Sequence, residues 1–136
     1  AALDEGVVAG GGVALLQAKS KLITSNQLEL EGDETIGAEI LLNAIEKPFI
    51  QILRNAGIDK YHAILSNVEE NFDGYNIKTG EYVDMVEEGI IDPTKVTRTA
   101  LENAVSVAGT MLITECTIVD DPKAKEEVDP MSMMGM

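Results

Sequence analysis

Several residue types that usually carry chemistry are scarce in this chain. It has no tryptophan, two phenylalanines, one cysteine and one histidine. A single cysteine, Cys116, rules out an internal disulfide framework and points to a reducing compartment. It follows an acidic residue, which does not lower a thiol pKa, so it reads as inert rather than nucleophilic. The lone His62 has no second His, no Cys and no spaced carboxylates beside it, which argues against a metal site and gives a Ser–His–Asp triad no positional support. Basic residues are also few: 10 Lys+Arg stand against 24 Asp+Glu, for a net charge of −14 at pH 7. Binding a nucleic-acid backbone is therefore not the main task. No apolar run approaches the roughly 18–20 residues of a membrane span. The opening AALDEG lacks the basic start of a secretory signal. What is present is 136 residues, 45% of them apolar. That is enough for one domain with a real core, and it excludes wholesale disorder.

The opening residues Ala1, Ala2, Leu3 and Glu5 are helix formers, and Gly6 is a plausible helix C-cap. The chain thus reads as starting in the last turn of a helix, as a fragment would. Gly10, Gly11 and Gly12 then precede a helical pattern over 13–22, with Val13, Leu15, Leu16 and Ala18 mostly on one side. A polar linker over 24–33 follows, ending at Asp33, an expected N-cap. Ile36, Ile40, Leu41, Ala44 and Ile45 predict a helix with one buried face. Pro48 restarts a short helix that ends near Gly57, and 60–70 reads as another, with Ala63, Ile64 and Val68 inside. Tyr75, Ile77, Tyr82 and Val83 flank Lys78-Thr79-Gly80 and predict a β-hairpin at about 75–83. Asp92 is an N-cap candidate and Pro93 a first-turn proline for a long helix. Its stripe is Val96, Leu101, Ala104, Val105, Ala108 and Leu112, and small Ala104, Ala108 and Gly109 would permit close helix approach. Thr117-Ile118-Val119 predicts a short C-terminal strand, about 117–119. Residues 121–136 read as a flexible acidic and Met-rich tail. The fold class is mainly α, a helical bundle with one hairpin and that terminal strand.

Two features are candidates for ligand contact. Glycines before a helix let a ligand approach the backbone, and free N–H groups at the helix start favour anions; a tight turn with close packing explains them equally. No Lys-Ser or Lys-Thr follows at Walker A spacing. Asp92 as an N-cap satisfies helix N–H groups without any ligand. The acidic residues after Val119 lack the D-x-[DN]-x-[DN]-G calcium pattern.

Taken together, EGVVAGGGVALL at 5–16, DGYNIKTGEYVDM at 73–85 and GIIDPTKVTRTALENAVSVAGTMLITE at 89–115 resemble the C-terminal part of the group I (GroEL-type, sixty-kilodalton) chaperonins. The ending MSMMGM is similar to that family's Gly-Gly-Met tail. The resemblance implies the C-terminal half of an equatorial, ATP-binding domain over 1–120, within an ATP-driven protein-folding machine. It implies neighbouring subunits in heptameric rings, and unfolded clients and a co-chaperonin engaged through an apical domain outside this chain. Neither nucleic acid nor membrane is an expected partner. The implied ligand is ATP or ADP, with Mg and K ions expected only in the full-length parent. By the family pattern, Gly11 contacts the nucleotide, Asn76, Ile77 and Lys78 lie over the adenine, and Asp92 binds the ribose. Many relatives carry small residues after the Asn, so Ile77 and Lys78 are departures.

The family's phosphate loop, magnesium-binding Asp and water-activating Asp would lie upstream of Ala1, so the chain alone is not expected to hydrolyse ATP. The expected home is bacterial cytoplasm, with mitochondrial matrix or plastid stroma as alternatives. Two rival readings carry no nucleotide: a purely structural assembly module, and an independent acidic binding module.

Overall fold

The computed structural model describes residues 1–25, 28–71 and 73–118. Val119 and the 121–136 tail lie outside the described residues, as does the Cys116 side chain. The chain divides into two units, 1–96 and 97–136.

The first unit holds the core. A short helix α1 (Ala2–Glu5) ends at Gly6, whose φ of 81° closes the turn. Strand β1 (Val7–Ala9) follows, then helix α2 (Val13–Ser25). Helices α3 (Asp33–Ala44), α4 (Lys47–Asn55) and α5 (Tyr61–Asn71) come next. The hairpin strands β2 (Gly74–Asn76) and β3 (Glu81–Val83) pair antiparallel, with Tyr75 opposite Tyr82. Strand β4 (Ile91–Pro93) returns to pair antiparallel with β1, Val8 opposite Asp92. Two further bonds extend that pairing. The Gly10 N–H donates to the Ile90 carbonyl at 2.8 Å, and the Thr94 N–H to the Gly6 carbonyl at 3.1 Å. The two β-branched pairs Val7-Val8 and Ile90-Ile91 suit such a ribbon, but the periodicity of neither segment announced it.

Ala9, Val13, Leu16, Phe49, Leu53 and Val68 form the centre of the core, with Ile50, Ile64, Leu65 and Met85 around them. Helix α4 supplies Phe49, Ile50 and Leu53, spaced to line one face. Pro48 stands in its first turn, where a missing N–H costs nothing. At its end the Gly57 N–H reaches the Arg54 carbonyl and the Ile58 N–H the Leu53 carbonyl, a Schellman closure that packs Ile58 against the core.

Lys19 of α2 ties three helices together. Its ammonium donates to Glu46, the residue before α4, and to Glu69 of α5 at 2.9 Å. The side chains of all three are largely shielded from water. Burial disfavours the Lys19 cation, but the hydrogen bonds and charges of the two carboxylates outweigh it and hold its pKa above the ordinary lysine value.

Several expectations are corrected. Helix α3 buries none of its residues, and Ile36 and Ile40 are more than half exposed. Only Ile45, just past its end, is buried, because no element of the first unit covers that stripe. Asp33 is the first helical residue, and Gly32 takes the cap position instead. In α5, Ala63 is exposed and Leu65 is buried beside Ile64 and Val68. Asp92 and Pro93 end β4, and the helix starts after them, at Thr94.

The second unit is described through residues 97–118, the body of helix α6 (Thr94–Ile118). Thr117 and Ile118 are its last residues, so the strand expected at 117–119 is not formed there. β-Branched residues favour strands only weakly, and a helix already propagating adds them at little cost. The expected stripe is exposed at Val105 and Leu112.

Replacing Lys19 with Met leaves two carboxylates facing each other, and should cost about 1–2 kcal/mol at neutral pH, between the values for exposed and buried pairs. Because the folded-state pKa is raised, the Lys19 contribution is fully present below the ordinary lysine value of 10.5 and fades as pH rises through the folded value. Urea melts at pH 8 and pH 11.5 should therefore show the variant's deficit shrinking at the higher pH.

Candidate functional site

The glycine turn between β1 and α2 is forced by close approaches on both sides. A side chain at Gly10 would meet the Ile90 backbone at 3.1 Å, and one at Gly12 would meet the Phe49 N and Cα at 2.9 Å. Gly11 and Gly12 also take positive φ, 66° and 80°, which costs an L-residue roughly 1–2 kcal/mol. Packing thus accounts for Gly10 and Gly12. Gly11 is different: its nearest neighbour is the flexible end of Met85, at 3.0 Å.

Gly11 faces a cavity of about 490 Å³ within the first unit, a size typical of small-molecule sites. Its floor is Phe49, Ile52 and Leu53 of α4, and the hairpin forms a second wall with Tyr75, Asn76, Ile77 and Lys78. The hairpin loop is held by the Lys78 N–H donating to Asn76 Oδ1 at 3.0 Å and the Gly80 N–H to the Asn76 carbonyl at 2.8 Å. Asn76 is thereby fixed in an Asx turn.

The third wall is a single helical turn between β3 and β4 that the sequence reading did not identify. Asp84 Oδ1 accepts the Glu87 N–H at 3.1 Å and so caps the turn. Gly89, at φ 74°, ends it, with the Ile90 N–H reaching the Met85 carbonyl at 2.8 Å. The cap and the glycine together aim Met85, Glu88 and Ile90 at the cavity. A D-x-x-x-x-G spacing, Asp84 to Gly89, was the available signal.

Of the residues singled out from the sequence, Gly11, Asn76, Ile77 and Lys78 meet at this cavity. Asp92 is not among its lining residues. It is exposed in β4, two positions beyond Ile90, and therefore on the same face of an extended strand. The lining is mainly apolar. Its charged groups are Lys78 and Glu88, one of each sign. Such a cavity can enclose a flat apolar group with a polar edge, and it offers little to a multiply charged one. Among the described residues, no three or more of His, Cys, Asp and Glu are grouped so as to hold a metal.

Residues 1–122 match the model of the TCP-1/cpn60 chaperonin family, and the chain belongs to that family. Its fold is similar to the open-state monomer of a group II chaperonin from Methanococcoides burtonii, with a TM-score of 0.69 and 27% identity over 78% of this chain and 27% of that one. It is equally similar to a group III chaperonin in the open state, with a TM-score of 0.69 and 31% identity over 82% of this chain and 24% of that one. The chain thus spans about a quarter of the length of these structures. The helical architecture with small antiparallel strand pairs resembles a chaperonin equatorial domain.

The two glycines should respond differently to alanine. Gly12→Ala meets backbone on a packed helix and should cost at least about 2 kcal/mol. Gly11→Ala meets only the Met85 methyl, which can swing, and should cost about 1 kcal/mol, mostly from its φ. Chemical denaturation of the two variants checks the order.

Proposed function

We propose that this chain is part of the equatorial domain of a group I, GroEL-type chaperonin, and that its cavity holds the base and sugar of ATP or ADP. One observation carries the reading: Gly11 and the consecutive Asn76, Ile77 and Lys78, from distant parts of the sequence, line one mainly apolar cavity. The charge of the lining supports the orientation. The Lys78 cation is offset by the Glu88 carboxylate in the same cavity, so the uncharged end of a nucleotide suits it better than the phosphates. Ile77 lies at the wall and adds apolar contact area over a flat base. Asp92, beyond Ile90 on the same strand face, is the proposed acceptor for a ribose hydroxyl. The segments at 5–16, 73–85 and 89–115 support the group I assignment.

Phosphate handling, Mg and K ions and hydrolysis are proposed to need parts of a longer protein, since the match covers only 27% and 24% of the two solved relatives. Clients and a co-chaperonin are assigned to such parts too, and the cytoplasm to the whole. Neighbouring subunits in a ring are the proposed partners of this portion. A second reading, an assembly module without nucleotide affinity, draws on the exposed Ile36 and Ile40 of α3.

Calorimetric titration with ADP separates the two, because saturable binding is expected only on the first. Asp92→Asn should then weaken ADP about fivefold to tenfold, the difference between a charge-assisted and a neutral hydrogen bond. Its melting should stay within about 0.5 kcal/mol of wild type, as Asp92 is an exposed strand residue. Equal ADP affinity in the two proteins would overturn the ribose role.

A further inference from the structure

We propose that Glu88 reads the polar edge of the base in this cavity and that it admits guanine as well as adenine. The inference rests on the nucleotide reading above and concerns what that site selects.

Glu88 sits on a backbone fixed at every step. Its own N–H donates to the Asp84 carbonyl at 3.0 Å, Asp84 caps the turn, and Gly89 closes it. The side chain is exposed at the cavity. It makes no ion pair with Lys78 or with any other described residue, and Lys78 likewise has none. The two opposite charges balance over the cavity as a whole, but they do not pair directly, so each can hydrogen-bond a ligand.

The other polar side chains there are mostly donors. A backbone N–H needs an oxygen, so the Lys78 N–H fixes which end of Asn76 is the carbonyl and engages it at 3.0 Å. What Asn76 has left to offer is its NH₂, a donor. The Lys78 ammonium can only donate, and the Tyr75 hydroxyl can turn either way. Glu88, when ionised, can only accept, and its two oxygens suit two parallel N–H groups. It is the one carboxylate among the residues that line the cavity. It also repels phosphates, which directs the base rather than the diphosphate to its end.

Each purine has an edge that these groups can pair. Adenine presents one amino donor beside a ring-nitrogen acceptor. Guanine presents a carbonyl acceptor beside a ring N–H and a second amino donor. Glu88 can accept one N–H from adenine and two from guanine, while Lys78 or the Asn76 amide supplies the complementary donor in both cases. Without a carboxylate, guanine would leave two donors unpaired in an apolar cavity, the arrangement that such sites reject most strongly. Glu88 is thus the specificity-determining group.

Calorimetric titration of the 136-residue chain with AMP, GMP and IMP tests this, using wild type, Glu88→Gln and Glu88→Leu. IMP keeps the ring N–H of GMP but lacks its amino group. Wild type should bind GMP within about tenfold of AMP, and IMP more weakly than GMP. Glu88→Leu should lose about tenfold more affinity for GMP than for AMP, with Glu88→Gln between them. Melting curves of both variants should match wild type, since the side chain is exposed. Tight AMP binding with GMP excluded in wild type would overturn the inference and leave the nucleotide site standing. An equal change for AMP and GMP on Glu88→Leu would do the same. Binding of none of the three to wild type would remove the nucleotide reading itself.

Discussion

Two backbones approach each other so closely at Gly12 and Phe49 that no side chain fits between them, and the arrangement of the first unit follows from this contact. With Gly12 seated on α4 and Gly10 bonded to Ile90, the glycine turn is clamped between a helix and a strand. That clamp sets where α2 begins, so Val13 and Leu16 enter the core over Phe49 and Leu53. It also leaves Gly11, alone of the three, with only a side-chain tip as its near neighbour. The cavity exists because the clamp holds its two sides while nothing fills the space under Gly11.

The polar contacts around this unit work by fixing backbone rather than by adding much energy. The Asx turn at Asn76, the cap at Asp84 and the left-handed Gly89 each involve one or two hydrogen bonds, worth about 1 kcal/mol apiece. Their effect is geometric. They hold the hairpin wall and the turn wall at positions from which Asn76, Lys78 and Glu88 meet. The Lys19 triad does the same for the helices below, drawing α2, α4 and α5 to one point.

What could be read from the residues was what local chemistry dictates. The hairpin at 75–83 followed from β-prone residues around Thr79-Gly80, and α4 from Pro48 and Gly57, because turn and cap signals act within a few residues. The β1–β4 ribbon was not legible: its strands have three residues each, and their partners lie at opposite ends of the unit. Met85, Glu88 and Ile90 were missed for a related reason, since a single turn leaves no periodicity to detect. The resemblance to a known family brought Gly11, Asn76, Ile77 and Lys78 forward, although composition and spacing alone left the glycines explicable as packing. Two inferences from apolar pattern failed where pattern lacks context. Ile36 and Ile40 have the spacing of a buried face but no cover in this unit, and Thr117 and Ile118 have strand preference but extend a helix.

Met85 gives the cavity a wall with a mechanical direction. The residue is nearly fully buried, and its side chain lies directly against Gly74, where even a methyl group would collide with its Cγ and Sδ. An unbranched thioether normally yields by rotating about its torsions. Here the hairpin backbone blocks retreat on one side, so the free travel of the side chain is into the open cavity. The space can therefore narrow by side-chain rotation alone, whereas widening at this wall requires the hairpin itself to move. A group smaller than the cavity is gripped at little cost in strain, and one too wide for this wall displaces the hairpin at Gly74.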